Sequence, residues 1–548
     1  MWSQNYTPVG GSLGLSAAVA CLPLIVTLVL LAVFKRPAWL SALAGSITAL
    51  LVALIVYGMP ASMAFSTVGY GAAYGLLPIT WIIFTAILLY RLTVETGKFE
   101  IIKDSIGSLT LDRRLQALLV AFAFGAFLEG ASGFGTPVAV AAAMLTGMGF
   151  SPFYAAAICL LANTAPVAFG AIGTPLVMLQ TVTGLPMADL SANVGRICAP
   201  LSLIVPAYLM LVMGGWSALK AVFPAAIVCG VAFGGMQFLV SSYVGPYLTD
   251  ILGALVALLA LVVLLKFWRP KGAEVQPASK YSAGQILMAW SPYIFLVFFV
   301  LLWNPDWMTV VSPETGKTVA TAIKNALNEL TWKFGWPGLH NMVARMPPIT
   351  KAASPYDATY TFNPGSASGT ACLMAVFASA IISRVSPLSL LKWIGQTAKQ
   401  LMFPTITVMS VLALAYMMNY SGATATLGLT FAATGVMFPF FSSLLGWVAV
   451  FLTGSDTSAN ALFGSLQVVT AQKLGMNPAL MAAANSSGGV MGKMISLQNV
   501  AVASVATGMS SAEESKLFRF TLRHSVFLAV AIGMLVMFYA YVVPGWVR

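Results

Sequence analysis

Between Leu13 and Phe34 the chain reads LGLSAAVACLPLIVTLVLLAVF, a run without a single charged residue. Apolar runs of similar length span Ala38–Tyr57, Tyr247–Phe267 and Ala283–Trp303. Each is long enough for an α-helix to cross the hydrocarbon core of a bilayer, which takes about 20 residues. A barrel strand would alternate apolar and polar residues, whereas these runs are apolar on all sides, so they predict transmembrane helices.

The composition of the whole chain agrees with a membrane location. Of its 548 residues 59% are hydrophobic and only 8% are charged, whereas a soluble protein has about 25% charged residues. The net charge of +12 does not indicate nucleic acid, because the basic residues cluster in short loops on one membrane face. No Walker loop, metal-ligand spacing, C-x-x-C pair or Ser-His-Asp arrangement occurs, so we expect no cofactor, no metal, no disulfide framework and no enzyme activity.

Basic residues also predict the topology. Lys35 and Arg36 follow the first apolar run rather than precede it, which favours a spanning helix that begins outside over a cleaved signal peptide. Threading the chain forward places most basic residues inside, with about twelve crossings plus two re-entrant hairpins. One stretch, from about Asn304 to Gly369, is polar rather than apolar. We interpret it as a connector between helices rather than as a lid over the entrance. The predicted regions are N-terminal transmembrane helices (1–60), a first unit (61–215), linking helices (216–303), an extracytoplasmic loop (304–369) and a second unit (370–548).

The two units resemble each other in sequence. Three short stretches recur in the same order and at nearly constant spacing: Thr96–Gly97 with Ser421–Gly422, Phe127–Ser132 with Phe451–Asp456, and Ala162–Thr164 with Ala484–Ser486. Such self-similarity indicates a duplicated unit. In the charge-derived topology Gly97 lies on the cytoplasmic side and Gly422 outside, so we expect inverted repeats, as in many secondary transporters.

Helix-breaking residues interrupt the apolar segments inside both units. The predicted breaks are Gly130–Pro137, Asn163–Pro166 with Gly173–Pro175, Gly454–Asn460, and Asn485–Gly489. In lipid, unpaired backbone is tolerated only where it lines a cavity or is buried in protein. Free N–H groups at the start of a half-helix attract anions such as carboxylates. The alternative is that these small residues only allow close helix packing.

Candidate binding residues are the small, polar and basic side chains of these breaks. They are Gly130, Ser132, Gly133, Thr136, Asn163, Thr164, Ser455, Thr457, Ser458, Asn485, Ser486 and Lys493. Together they predict a site for a small anion near the middle of the membrane.

Charged residues within apolar segments are a second set of candidates, because each costs about 2.5–3.5 kcal/mol at a helix centre. Burial disfavours a charged carboxylate, so Glu129 or Asp456 is expected to bind and release a proton. Lys493, or secondarily Arg196, is expected to pair with a substrate carboxylate. The alternatives are a helix N-cap for Asp456, snorkelling of Arg196 to the outer interface, and an internal Glu129–Lys493 ion pair that fixes the fold.

At these motifs the chain resembles the lactate permease family. The similar stretches are Ala126–Pro137, Asn163–Gly170, Leu452–Ser458, Gly488–Ser496 and the opening Trp2–Tyr6. The resemblance therefore covers essentially the whole chain. One departure is Leu497, where relatives usually carry proline, and this puts the kink after Lys493 in question.

The resemblance implies uptake of L-lactate, and also of D-lactate and glycolate, with a proton across the bacterial inner membrane. Backbone amides and Lys493 are then expected to hold the carboxylate, and Ser132 or Thr457 the 2-hydroxyl group. The expected partners are this substrate, the proton and membrane lipid, without nucleic acid. The alternatives are a sodium-coupled carboxylate carrier, a membrane-embedded enzyme and a non-transporting receptor.

Overall fold

A computed structural model of the protein describes residues 1–133, 135–270, 280–303, 326–327 and 329–548. Helices dominate this part of the chain because its long apolar runs satisfy their backbone hydrogen bonds internally. The α-helices are α1 (Leu13–Ala20), α2 (Leu22–Ala32), α3 (Ala38–Ile55), α4 (Ala61–Tyr74), α5 (Trp81–Glu95), α6 (Lys98–Gly107), α7 (Arg113–Gln116), α8 (Gly125–Ala131), α9 (Thr136–Gly147), α10 (Pro152–Ala162), α11 (Gly170–Thr183), α12 (Met187–Tyr243), α13 (Thr249–Phe267), α14 (Ala283–Trp303), α15 (Ser368–Ile382), α16 (Pro387–Ser421), α17 (Ala423–Phe431), α18 (Phe438–Thr453), α19 (Asp456–Leu474), α20 (Pro478–Lys493), α21 (Leu497–Thr507) and α22 (Ser511–Tyr541). Turns of π-helix occupy Gly75–Thr80 and Ala117–Phe124, and 3₁₀ turns occupy Val167–Phe169, Ala432–Met437 and Pro544–Trp546.

Many of these helices are long and apolar enough to cross a membrane. Among the described residues there are 10 such helical stretches, or up to 11 when the bent pair Pro152–Ala162 and Val167–Thr183 counts as one span. The chain is therefore a multi-span α-helical membrane protein, as predicted. The number is slightly below the twelve crossings expected from the charges.

Helix α12 is too long for one crossing. Its 57 residues would extend for about 86 Å if straight, against a hydrocarbon core of about 30 Å. The backbone leaves helical geometry at Gly214–Gly215. A methyl group at Gly230 would lie 2.2 Å from the Leu203 carbonyl oxygen, and one at Gly195 would lie 1.8 Å from Ser241 Oγ. The two arms of α12 therefore pack antiparallel as a helical hairpin.

Short strands form a small cap with the N-terminus. They are β1 (Trp2–Ser3), β2 (Trp332–Gly335), β3 (Val343–Arg345), β4 (Ser354–Pro355) and β5 (Thr359–Phe362). Strand β1 pairs in parallel with β3, β4 pairs antiparallel with β3, and β2 pairs antiparallel with β5. The Tyr360 ring packs on Tyr74 with 4.8 Å between centroids. This segment is thus a folded cap rather than the connector we expected, although residues 304–325 and 328 of the predicted loop lie outside the described residues.

The chain leaves helical conformation at both predicted hairpin tips. Between α8 and α9 the turn ends on Gly135, whose φ is +79°; Phe134 lies outside the described residues. Between α18 and α19 the turn is Gly454–Ser455, with a φ of +73° at Gly454. Glycine adopts this left-handed conformation without a steric penalty. The Ser455 hydroxyl then accepts a hydrogen bond from the Ser458 N–H at 3.2 Å, so Ser455 and not Asp456 is the N-cap of α19.

The segment after each hairpin differs between the two units. In the first unit α10 ends at Ala162, and the pair it forms with the following helix bends by 66°. Left-handed residues Ala171, Ile172 and Gly173 interrupt α11 as well. In the second unit α20 continues through Asn485–Gly489, so the break predicted there is wrong.

Close packing between helices explains why α20 contains these glycines without breaking. A methyl group at Gly488 would lie 2.0 Å from the Ser443 carbonyl oxygen, so this glycine allows α18 to approach α20 closely. The backbone breaks only after Lys493, and Ser496 caps the next helix, with its hydroxyl accepting from the Asn499 N–H at 3.3 Å.

Candidate functional site

The helix breaks of both units meet at a cavity of about 270 Å³. This is about nine times the ~30 Å³ that one water occupies in the liquid, which is enough for a small organic acid with a few waters. Its walls are formed by Ala38, Trp39, Glu129, Gly133, Gly135, Val167, Gly170, Ala171, Pro175, Phe403, Pro404, Thr407, Val408, Thr453, Gly454, Ser455, Asp456, Thr457, Ser458, Lys493, Gln498 and Asn499.

An ion pair across the cavity wall connects the two units. Lys493 Nζ at the end of α20 donates to Glu129 Oε1 on α8 at 2.6 Å, and their side chains are only 10% and 3% exposed. Glu129 Oε2 accepts from Asn163 Nδ2 at 2.9 Å. A methyl group at Gly170 would lie 2.5 Å from Glu129 Oε1, so this glycine leaves the room that the carboxylate occupies. Lys493 and Glu129 therefore form the internal pair given above as an alternative, and they also line the cavity.

Asp456 lies on the same wall, at the first turn of α19. Its Oδ2 accepts from Ser486 Oγ at 2.6 Å and from Asn460 Nδ2 at 3.4 Å. Its Oδ1 has no hydrogen-bond partner among the described residues, and a methyl group at Gly489 would lie 2.5 Å from this atom. Asp456 thus keeps one acceptor atom unsatisfied beside the cavity.

Two helix starts contribute lining residues to this space, the first turn of α19 (Ser455–Ser458) and that of α21 (Gln498 and Asn499). Gly170 and Ala171 also line it, at the left-handed break in α11. Helix N-termini carry a partial positive charge and free N–H groups, which favours a bound carboxylate. The opposite wall is apolar where Trp39, Phe403 and Val408 line it.

The predicted binding residues fall into three groups. Those that line the cavity are Glu129, Gly133, Ser455, Asp456, Thr457, Ser458 and Lys493. Behind the wall, Asn163 and Ser486 hold the two carboxylates, and Asn485 Nδ2 donates to Asn460 Oδ1 at 3.0 Å. The hydroxyls of Ser132 and Thr164 donate to carbonyls of their own helices, and Gly130 and Thr136 do not line the cavity.

Arg196 lies away from this site. Its guanidinium is 5.6 Å from the centroid of the Trp546 ring near the C-terminus. Its Nε and Nη1 atoms have no hydrogen-bond partner among the described residues. The structure therefore does not bring Arg196 together with Glu129, Asp456 and Lys493.

Sequence reasoning missed several residues at or near the site. Gln498 and Asn499 line the cavity because the break after Lys493 turns the start of α21 toward it. Trp39 comes from α3, outside both units. Asp250 is fully buried at the start of α13, and the apolar run Tyr247–Phe267 concealed it. The signal that could have revealed Asp250 is a carboxylate inside a spanning segment, which is costly and therefore rare.

Comparisons with known proteins bear on these observations. A family model described as L-lactate permease matches residues 16–543. The chain is 46% identical to the L-lactate permease of Bacillus subtilis (strain 168) over 553 residues, which cover 97% of each chain. It is 45% identical to the glycolate permease GlcA of Escherichia coli (strain K12) over 564 residues, which cover 99% of each chain. Among solved structures, the YdaH transporter of Alcanivorax borkumensis is 15% identical, with a TM-score of 0.45 and 88% of each chain covered.

Proposed function

The chain belongs to the L-lactate permease family, and we propose that it imports L-lactate together with a proton. Membership makes it a transporter rather than an enzyme. The relative named for glycolate supports glycolate as a second substrate, and we include D-lactate. These acids share a carboxylate and a 2-hydroxyl group, which match a cavity with one ammonium group and several hydroxyls. The ion pair between Glu129 and Lys493 on the cavity wall carries the proposal.

Charge balance explains why a proton is needed. Among the lining residues Lys493 is the basic one, whereas Glu129 and Asp456 are acidic. With both carboxylates ionised, the cavity wall carries a net negative charge and repels the incoming lactate anion. Since a buried unpaired charge is costly, lactate enters favourably only when a proton neutralises one carboxylate.

Coupling follows from competition for one ammonium group. In the described conformation Lys493 is engaged by Glu129 at 2.6 Å. Protonation of Glu129 removes this partner and frees Lys493 for the lactate carboxylate. Asn163 keeps contact with Glu129, which holds the side chain in place while its charge changes. Lactate then replaces the negative charge that Glu129 has lost, so binding adds no net charge to the low-dielectric interior.

We propose that the two units are inverted repeats and that the chain crosses the bacterial inner membrane about twelve times. The antiparallel arms of α12 and the breaks in both units support this arrangement. Ala38 and Trp39 line the cavity directly after Lys35 and Arg36, a pair that the positive-inside rule assigns to the cytoplasm. The described conformation is then open toward the cytoplasm, and relative movement of the units opens the site outward.

Uptake of labelled lactate into proteoliposomes tests the proposal. An inside-alkaline gradient in sodium-free buffer should accelerate uptake and sustain accumulation of up to about tenfold per pH unit for one proton per lactate. Unlabelled glycolate and D-lactate should compete. Collapse of the gradient with a protonophore should reduce uptake to equilibration.

Each rival function predicts a different result in the same vesicles. A sodium-coupled carrier requires a sodium gradient and ignores the pH gradient. A non-transporting receptor binds lactate without vesicle uptake. A membrane-embedded enzyme converts lactate in detergent, where transport cannot occur. Any of these three outcomes contradicts proton-coupled import.

A further inference from the structure

Asp250 is a buried carboxylic acid in the first turn of α13, outside the set of cavity-lining residues. Its side chain is 1% exposed, and neither Oδ1 nor Oδ2 has a hydrogen-bond partner among the described residues. The carboxyl group therefore does not cap the free N–H groups of its own helix. An ionised carboxylate in such surroundings has lost its hydration without compensation, and a group in this position takes up a proton instead.

One polar side chain, that of Gln237 on α12, faces the Asp250 carboxyl group and favours its ionised form. The Gln237 amide nitrogen donates to the Ala165 carbonyl at 3.0 Å, which fixes the orientation of the amide. Both Asp250 oxygens still lack a hydrogen-bond partner among the described residues. Gln237 therefore reduces the cost of an ionised Asp250 without removing it.

Asp250 also lies close to the Glu129–Lys493 pair. A methyl group at Gly130 would lie 2.8 Å from the Asp250 Cβ, so α13 packs on the residue that follows Glu129. Glu129 and Lys493 are the charged neighbours of Asp250 among the described residues. The Cys198 thiol on α12 is a further titratable neighbour, whereas the π-helical turn Ala117–Phe124 presents apolar side chains only.

We propose that Asp250 is a second proton-binding residue of the transport cycle and exchanges its proton with Glu129. This inference rests on the proton coupling proposed above. Before lactate binds, Asp250 is protonated, and Glu129 is ionised and paired with Lys493. Transfer breaks the Asp250 O–H bond and forms one on Glu129, so the negative charge moves to Asp250 and Lys493 becomes free for lactate. The proton that accompanies lactate then restores Asp250, and the balance is one proton per lactate.

The variant Asp250→Asn tests this role in proteoliposomes. We expect a pH gradient to lose its effect on net uptake, so the accumulation of up to about tenfold per pH unit falls to equilibration. Exchange of internal for external lactate should continue, because Glu129 then keeps its proton while one lactate replaces another and no transfer from Asp250 is needed. Asp189→Asn is the matched control, since Asp189 also occupies the first turn of a helix but is only partly buried. This control should behave as wild type.

Three outcomes separate the possible failures. If Asp250→Asn still accumulates lactate in response to the gradient, Asp250 is not a proton site and only this inference fails. If wild-type uptake itself ignores the gradient, the proposed function fails first. If the variant loses exchange as well, Asp250 is structural and the inference is again overturned, provided that the purified variant is monodisperse.

A measurement on the wild-type protein covers the case of a variant that does not fold. Dicyclohexylcarbodiimide reacts with protonated carboxyl groups in apolar surroundings, and peptide mass spectrometry locates the adduct. We expect labelling of Asp250 at neutral pH without lactate, with less labelling of Glu129, whose carboxylate is paired. Labelling of Glu129 with an unmodified Asp250 contradicts the proposed distribution of protons.

Discussion

The stretch after the first hairpin and the stretch after the second start from similar sequences and end in different backbones. Asn163–Pro166 separates α10 from the helix that follows it, whereas its counterpart Asn485–Gly488 continues α20 without interruption. Pro166 has no N–H group to continue the ladder, and proline disfavours helical conformation in the residue before it. Gly488 has an N–H group and tolerates the helix, and its missing side chain serves packing against Ser443.

The two stretches agree again farther along the chain. The first unit leaves helical geometry at Ala171–Gly173, and the second leaves it between Lys493 and Leu497. Both breaks contribute residues to the cavity wall. Each unit thus has one cavity-lining break in the stretch after its hairpin, and the first unit has an extra break where Asn163 donates to Glu129.

The largest effect is expected from removing Lys493, which is the one ammonium group among the described residues that line the cavity. We expect Lys493→Ala to abolish measurable uptake, because losing a buried charge partner costs about 2–5 kcal/mol, an affinity loss of roughly 30-fold or more. It also leaves Glu129 buried and unpaired, at a cost in stability of about 3–5 kcal/mol. Lactate binding by calorimetry and the melting temperature in detergent measure the two effects.

The double variant Glu129→Gln with Lys493→Ala is the control for stability. It removes both charges of the buried pair, so its melting temperature should recover most of the loss while lactate binding stays absent. If Lys493→Ala binds lactate as wild type does, the ammonium group is not the anion partner.

The next largest effect is expected from a change at Glu129, the acidic member of the buried ion pair. Glu129→Gln frees Lys493 at every pH, so uptake should no longer respond to an inside-alkaline gradient while lactate exchange persists. The exposed Glu95 of the same unit offers the control Glu95→Gln, which should retain the response. Initial rates across a series of external pH values measure it, and a steep pH dependence in Glu129→Gln would contradict the assigned role.

Much of the fold could be predicted from the chain alone, and less of the site. The apolar runs indicated the helices, and the paired glycines Gly130 and Gly454 indicated the tips, because lipid restricts the backbone choices. The first turn ends a few residues later than Gly130, at Gly135. The continuity of α20 could not be read from glycine content, since packing glycines and breaking glycines look alike in sequence. Pro166 marks the early break of the first unit, whereas no proline lies between Pro478 and Pro544 to mark the break after Lys493.

The site residues likewise divide into those whose role the sequence predicted and those whose role depends on tertiary packing. Glu129, Asp456 and Lys493 were predicted because charge within a spanning segment is costly, and the structure gathers them at one cavity. Which residues stand behind the wall depends on tertiary packing. Asn163 and Ser486 were predicted to bind substrate, yet here they hold carboxylates at 2.9 and 2.6 Å. Trp39 comes from a distant helix whose approach no local pattern indicates.

A smaller effect comes from the two glycines that make room for carboxylates. Gly170→Ala and Gly489→Ala each place a methyl group 2.5 Å from an oxygen, of Glu129 and of Asp456 respectively. Overpacking of this kind costs about 1–3 kcal/mol. We expect both to lower the uptake rate several-fold, but only Gly170→Ala to weaken the response to the pH gradient, since it displaces the partner of Lys493.

Matched controls are available in both units. Gly147 and Gly395 have open space where a side chain would begin, so Gly147→Ala and Gly395→Ala should transport as wild type. An equal change of pH response in Gly170→Ala and Gly489→Ala would show that the two carboxylates have the same role, contrary to the asymmetry of their contacts.

The smallest effect is expected at Leu497, the position at which the family resemblance leads us to expect proline. Leu497 is the first residue of α21, directly after the cap Ser496, and proline is well tolerated at this position because its missing N–H would have no helical partner. Leu497→Pro should therefore leave uptake and melting temperature nearly unchanged. Val500→Pro is the contrast, because the Val500 N–H donates to the Ser496 carbonyl at 3.0 Å, and removing it should cost about 3 kcal/mol. A strong loss in Leu497→Pro would mean that α20 and α21 join as one helix during transport, so that the break shared by the two units is not permanent.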